Sequence, residues 1–296
     1  MNVPLEEQIP SPLALADALA QHDYLAEEGL ATALFCAVRL PQPLLLEGEA
    51  GVGKTQAAKA LADTLDTPLI RLQCFEGIDA SEALYEWNYP RQLLGIRLAE
   101  AAGSSLAEES LFSREYLIER PLLRALEHPG PSPAVLLIDE VDRADEEFEA
   151  FLFELLAENT VTVPEIGTLH AAVPPVVILT SNRTRDLHDA LKRRCLYHWI
   201  DYPDLAHATR IVRLRVPDAD PDLAAQIAGA VQRLRSVQVQ KPPGVAEAID
   251  WVHAATLLGI TRLDSEAVER TLGSVLKYRE DQDMVRSAGL AWVAGG

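Results

Sequence analysis

The octapeptide Gly48-Glu49-Ala50-Gly51-Val52-Gly53-Lys54-Thr55 constrains this chain more than any other stretch. It follows the apolar run Leu44-Leu45-Leu46 and precedes Gln56-Ala57-Ala58-Lys59-Ala60-Leu61-Ala62, which reads as helix. Strand, glycine loop and helix in that order make a phosphate-binding loop. A helix N-terminus offers unpaired N–H groups at the positive end of its dipole, which suits a polyphosphate. Gly48, Gly51 and Gly53 let the backbone curl with its amides inward and no Cβ in the way. Lys54 is placed to reach the β- and γ-phosphates and the Thr55 hydroxyl to ligate Mg²⁺. Glu49, Ala50, Val52 and Gln56 complete the contact set, so a nucleoside triphosphate is the expected ligand.

The 296 residues suggest roughly two domains. At 48% hydrophobic and 24% charged, the chain has apolar surface enough for ordinary globular cores. No apolar run approaches the ~18 residues needed to span a bilayer, so no membrane insertion is expected. Residues 1–10 carry Glu6 and Glu7 and lack the basic and apolar regions of a secretion signal. Cys36, Cys74 and Cys195 are scattered, with no paired spacing and no histidine at ligand distance in sequence. They read as reduced thiols of a cytoplasmic protein. A formal charge of −19 argues against a general nucleic-acid binder, which needs a basic face for phosphates. It leaves room for a locally basic pore and favours neutral or basic protein partners.

Residues 11–39 read as helix, divided near Gly29, and Pro41 and Pro43 lead into a first strand at 44–47. Ile70-Arg71-Leu72-Gln73-Cys74 reads as the second strand. Ala134-Val135-Leu136-Leu137-Ile138-Asp139 and Val176-Val177-Ile178-Leu179-Thr180 are uninterrupted apolar runs, as buried parallel strands are. Leu196 to Ile200 makes a fifth. Helical patterns between them call for a parallel sheet with right-handed crossovers. Phe148, Phe151, Leu152, Leu155 and Leu156 form one apolar helix stripe. Phe153 lies about 140° off it and reads equally as a subunit contact or as a wider core face. After Tyr202-Pro203-Asp204 strands vanish. Leu223, Ile227, Val231 and Leu234 then repeat at helix spacing, as do Ala248, Ile249, Val252 and Ala255. The expected division is 1–203 and 204–296.

The apolar run ending in Asp139-Glu140 supplies the second half of the predicted site. A carboxylate at the end of a buried strand gives Mg²⁺ an oxygen ligand, direct or through water, which Asp139 fits. Glu140 is then placed to polarise the attacking water as general base. Asn182, closing the next strand, is suited to hold that water or touch the γ-phosphate; its plain alternative is a turn-forming cap. Lys192-Arg193-Arg194 is a basic cluster just before the fifth strand. In a ring of subunits Arg193 or Arg194, with Arg194 preferred, is placed as an arginine finger, worth about 10³–10⁵ in turnover. The plain alternative is a solvated basic edge.

Together these features resemble the AAA+ ATPases, specifically the MoxR group, over about residues 20–280. Asp139-Glu140-Val141-Asp142-Arg143-Ala144 is similar to the Asp-Glu-x-Asn-Arg-Ala string of that group, and the Ala190-to-Tyr197 stretch is also similar. The resemblance implies an α/β P-loop AAA+ core with a five-stranded parallel sheet in the order 5-1-4-3-2. It also implies a small all-α lid, ATP and Mg²⁺ as cofactors, and a homo-hexameric ring. Two hairpin insertions are expected, at about 85–98, where Tyr85, Trp87 and Tyr89 share one side of a strand, and at about 160–173. In related ATPases such hairpins line the pore or contact clients; ordinary packing against the sheet is the alternative. The chain departs from the group where a lid arginine is usual. There Lys241-Pro242-Pro243-Gly244-Val245 puts Val245 in the arginine's place, with Lys241 as a candidate substitute. That wording, and Arg193 through Pro203, look most like the subgroup associated with carbon monoxide dehydrogenase-type molybdenum enzymes. Such proteins act as maturation chaperones for a metal centre, often beside a von Willebrand factor A domain partner.

The resulting expectation is an ATP-hydrolysing chaperone that remodels a protein client, the metal centre of a molybdenum hydroxylase being the client the resemblance suggests. The alternatives are a nucleic-acid-dependent motor and a slow nucleotide-dependent assembly switch. Charge weighs against the motor: the first insertion offers only Arg91 and Arg97 and the second only His170, so no nucleic acid is expected as a partner.

Overall fold

The computed structural model describes residues 9–40, 42–105, 107–158 and 160–295, and in the helices it leaves the side chains of Glu108, Glu109, Phe153, Glu154, Leu155, Ala157 and Glu158 undescribed. Two compact units divide the chain. One comprises the described residues up to 18 with 26–47 and 58–198; the other comprises 19–25, 48–57 and 199–295.

The first unit is built on strands β1 (Leu44–Gly48), β2 (Leu69–Gln73), β5 (Val135–Asp139), β8 (Val176–Ser181) and β9 (Leu196–Ile200). Their order is β2-β5-β8-β1-β9, which is the expected 5-1-4-3-2 once the short strands are set aside. β1 pairs with β8, β8 with β5 and β5 with β2, all parallel. The three central strands β1, β5 and β8 are buried along their whole length. That is why they read as continuous apolar runs rather than as alternation. β2 sits at the sheet edge, and Arg71 and Gln73 occupy its exposed alternate positions. Helix Glu146–Glu158 packs Phe148, Leu152 and Leu156 into the same core as Leu136, Ile138 and Leu179. The two readings of Phe153 fall on a side chain outside the description.

The opening helix departs from expectation. Pro12–Gln21 and Glu28–Arg39 are separate helices, and the break lies at residues 22–27, where Asp23 takes a left-handed φ of 57°. Gly29 lies inside the second helix, and a Cβ there would sit 3.1 Å from the His198 ring.

The two insertions behave differently. β6 (Thr160–Val163) and β7 (Gly167–His170) form the antiparallel hairpin expected near 160–173. At 85–98 there is no hairpin. β3 (Tyr85–Trp87) is three residues long and pairs with β4 (Leu117–Glu119), about thirty residues on, while Tyr89–Ala101 is helix. The cause is local: the Asn88 side chain accepts the Arg91 N–H as an N-cap, and Pro90 fixes φ in the first turn. Tyr85 and Trp87 meet edge to face at 6.0 Å, and Trp87 meets Phe112 at 5.3 Å, so these two aromatics pack inward. Tyr89 starts the helix and is exposed.

In the second unit every regular element from Leu205 to Ala294 is a helix among the described residues. Asp204, Asp220 and Asp264 cap three of these helices through side-chain acceptance of backbone N–H groups. Leu223, Ile227, Val231 and Leu234 are buried together with Val252 and Leu272 around Trp251, which is 0% exposed. Among the described residues no helix is long and apolar enough to cross a membrane.

Candidate functional site

β1, β5 and β8 run parallel and adjacent, so their carboxyl ends leave the sheet along one edge. In α/β sheets that edge is where ligands bind. Asp139 ends β5 and is 3% exposed. Its Oδ1 accepts the Thr180 hydroxyl at 2.5 Å, and its Oδ2 accepts Arg71 Nη2 at 2.5 Å and Nε at 3.0 Å. The register explains the pairing, since Gln73 lies opposite Asp139 and period-2 alternation puts Arg71 on the same face.

Glu140 follows with φ 55°, the left-handed region that few non-glycine residues enter. That turn carries its side chain out of the sheet plane while its N–H donates to Thr180 Oγ1 at 2.9 Å. The carboxylate is held by three donors: Gln73 Nε2 at 3.0 Å, Asn182 Nδ2 at 3.3 Å and Arg143 Nε at 3.3 Å. The predicted base and the predicted water-positioning residue are therefore in contact.

Asn182 is held by a residue of the Asp139-to-Ala144 string to which the sequence assigned no role of its own. Asp142, 2% exposed, accepts the N–H of Asn182 at 3.2 Å, and its other oxygen accepts the Thr184 N–H at 2.8 Å and hydroxyl at 2.7 Å. Further along, buried Glu149 pairs with Arg185 and accepts the His188 N–H at 2.8 Å, fixing the start of helix Asp189–Arg194. Arg193 and Arg194 are exposed at the end of that helix. Buried Glu47, at the end of β1, accepts the Tyr197 hydroxyl at 3.1 Å and lies 3.8 Å from Arg183 Nε.

The phosphate loop has its own surroundings within the second unit. A Cβ on Gly48 would come within 2.4 Å of the Ile200 carbonyl oxygen, so only glycine fits there. Gly51 has φ 79°, and its carbonyl accepts the Val245 N–H at 3.2 Å. Lys54 is 7% exposed, and its ammonium donates to the carbonyls of Gly48 at 2.7 Å and Glu49 at 2.8 Å. Glu49, Ala50 and Thr55 are exposed, Val52 is buried, and Gly53 and Gln56 are half-buried. A Gly51 Cβ would meet the Glu247 carboxylate at 3.0 Å and the Gly244 Cα at 3.3 Å, so the loop stays free of side chains there. Thr55 on the loop and Asp139 on β5 are each an oxygen donor of the kind Mg²⁺ takes, and each by itself fits a magnesium polyphosphate.

Val245, where an arginine was missed, is buried at the start of helix Val245–Leu257. Lys241 is exposed, and its backbone N–H donates to Asp281 Oδ2 at 3.4 Å. Arg235 is a cation packed against that turn: its Nε donates to the Pro243 carbonyl at 2.6 Å and its guanidinium stands 4.1 Å over the Tyr202 ring. Burial of the Tyr202 hydroxyl raises its pKa, with Glu49 adding to the shift. Arg235 looks in sequence like an ordinary basic residue in a last helical turn, so nothing singled it out.

A parallel sheet in this order, with a glycine loop after β1 and Asp139-Glu140 ending β5, defines a P-loop nucleotide-binding protein of the AAA class. Residues 43–195 match the AAA domain (dynein-related subfamily), and the chain belongs to that family. AAA domains generally hydrolyse nucleotide, usually with Mg²⁺. An uncharacterized protein of Staphylococcus saprophyticus is 23% identical over 262 residues, covering 85% of this chain and 90% of its own length. One from Staphylococcus aureus is 24% identical over 260 residues, covering 84% and 90%. A mutant of Thermotoga maritima RuvB is similar in fold, with a TM-score of 0.50 at 16% identity over 85% of this chain and 70% of that one.

Proposed function

We propose that this protein is an ATP-hydrolysing chaperone of the MoxR type that remodels a protein client as a homo-hexameric ring. The observation that carries the catalytic part is the 3.3 Å contact between Glu140 and Asn182 beside buried Asp139. When bound, magnesium neutralises charge on the phosphates and orients them. Asp139 and Thr55 would supply its oxygen ligands, and the amides of residues 48–55 with Lys54 would hold the polyphosphate. Glu140 takes a proton from water once Gln73 and Arg143 release it, and Asn182 holds that water in line. Arg194 of a neighbouring subunit, with Arg193 beside it, stabilises the departing charge.

The client assignment rests on sequence likeness. The Lys241-to-Glu247 and Arg193-to-Pro203 strings support a molybdenum hydroxylase metal centre as client, with a von Willebrand factor A domain protein as partner. The net charge of −19 supports a protein client over nucleic acid. The test measures ATP binding and steady-state turnover in wild type, Lys54→Ala and Glu140→Gln. Glu140→Gln is expected to keep ATP and lose about 10²–10⁴ in turnover, and Lys54→Ala to lose binding. Full turnover in Glu140→Gln removes Glu140 from the mechanism, and strong stimulation by DNA or RNA at moderate salt replaces the chaperone with a motor.

A further inference from the structure

We propose that Arg71 is a positioning residue that competes with magnesium for Asp139, so that the edge strand β2 sets the metal requirement of the site. The inference rests on the ATPase reading for the role of Asp139. Both Asp139 oxygens are engaged by side chains of the flanking strands. Thr180 donates to Oδ1, while Arg71 places two N–H groups on Oδ2, at 2.5 and 3.0 Å. A carboxylate only 3% exposed needs a counter-charge, and the guanidinium supplies one that no physiological pH removes.

Magnesium needs oxygen ligands at about 2.0–2.1 Å, or a tightly held water shell, around an octahedron. A dication and a guanidinium on the same oxygen repel each other across a few ångströms. One therefore yields to the other, and the geometry shows which is free to move. The Arg71 side chain is 51% exposed at the sheet edge, while Asp139 and Thr180 are buried. Arg71 also donates to Gln73 Oε1, and Gln73 Nε2 donates to Glu140. One movement of Arg71 thus takes the guanidinium off Oδ2 of the metal ligand and loosens the amide that restrains the base.

The experiment uses the full chain and a fluorescent ATP analogue, with binding titrated against Mg²⁺ and, separately, in EDTA. In Arg71→Gln the half-saturating Mg²⁺ is expected to fall about tenfold, as loss of a charge-assisted bond implies, with binding in EDTA unchanged. Arg71→Lys keeps the charge without the two-donor fork and is expected to fall about threefold; it carries the test if Arg71→Gln does not fold. Magnesium curves that coincide with wild type overturn the role of Arg71 and leave the ATPase reading standing. Wild type that binds no nucleotide at any Mg²⁺ concentration overturns both.

Discussion

Cys74 shows how strongly the acidic strand end colours its surroundings. Its N–H continues the ladder onto the Asp139 carbonyl at 2.8 Å. Burial first, and then the nearby charges of Asp139, Asp142 and Glu140, push its thiol up to about 12. Burial raises Cys195 to about 12 as well. In both cases the folded pKa lies above the ordinary 9.0, so the folded protein keeps a proton that the unfolded chain gives up. Their contribution to stability is complete below pH 9.0 and is lost as pH rises toward about 12. Melting temperature measured from pH 8 to about 11 should therefore fall less steeply in Cys74→Ala than in wild type. The same residues mark the limit of sequence reading. Asp139, Glu140 and Asn182 were legible because each ends a recognisable strand. Arg71 and Gln73 carried a faint signal, polar residues at alternate positions of an otherwise apolar run. Asp142 was visible as a position of the Asp139-to-Ala144 string, but its role was not, since its bond to Thr184 spans 42 positions.

The central strands were legible because burial on both faces leaves an unbroken apolar string, and the phosphate loop because its chemistry admits few substitutes. The first insertion was misread because Tyr85, Trp87 and Tyr89 alternate as a strand does, while the Asn88–Pro90 start signal sits between them. A helix start can override alternation when it supplies both a cap and a fixed φ. Among the C-terminal helices, Trp251 and Thr271 join Val245–Leu257 to Ser265–Val275. The indole N–H donates to the Thr271 hydroxyl at 2.6 Å, and that hydroxyl donates to the Ala267 carbonyl at 2.6 Å. Thr271→Val matches the shape and strands the indole N–H in a dry core. A loss of about 1–3 kcal/mol is expected in urea unfolding, with Thr271→Ser losing less.

For the whole molecule the decisive issue is whether catalysis is completed within one chain or between two. Helix Asp189–Arg194 ends in exposed arginines, and Glu149 and Arg185 fix its start. Under the ring proposal, Arg194→Ala lacks the finger and Glu140→Gln lacks the base, and each alone is nearly inactive. A mixture then regains turnover, because some interfaces pair an intact base with an intact finger. Steady-state phosphate release across mixing ratios checks this, and a strictly additive result places catalysis within single chains. An arginine finger accounts for about 10³–10⁵ in rate, so restored activity should stand well above either parent.

The hydrogen bond from Val245 to Gly51 has a mechanical meaning of its own. It fastens one peptide plane of the glycine curl to the first turn of a thirteen-residue helix. Whatever rotates that plane tugs on a rod whose sixth step beyond Val245 is the wholly enclosed indole of Trp251. Val245 thus couples the curl to the helical core through backbone alone, a linkage that side-chain substitution at Val245 leaves in place.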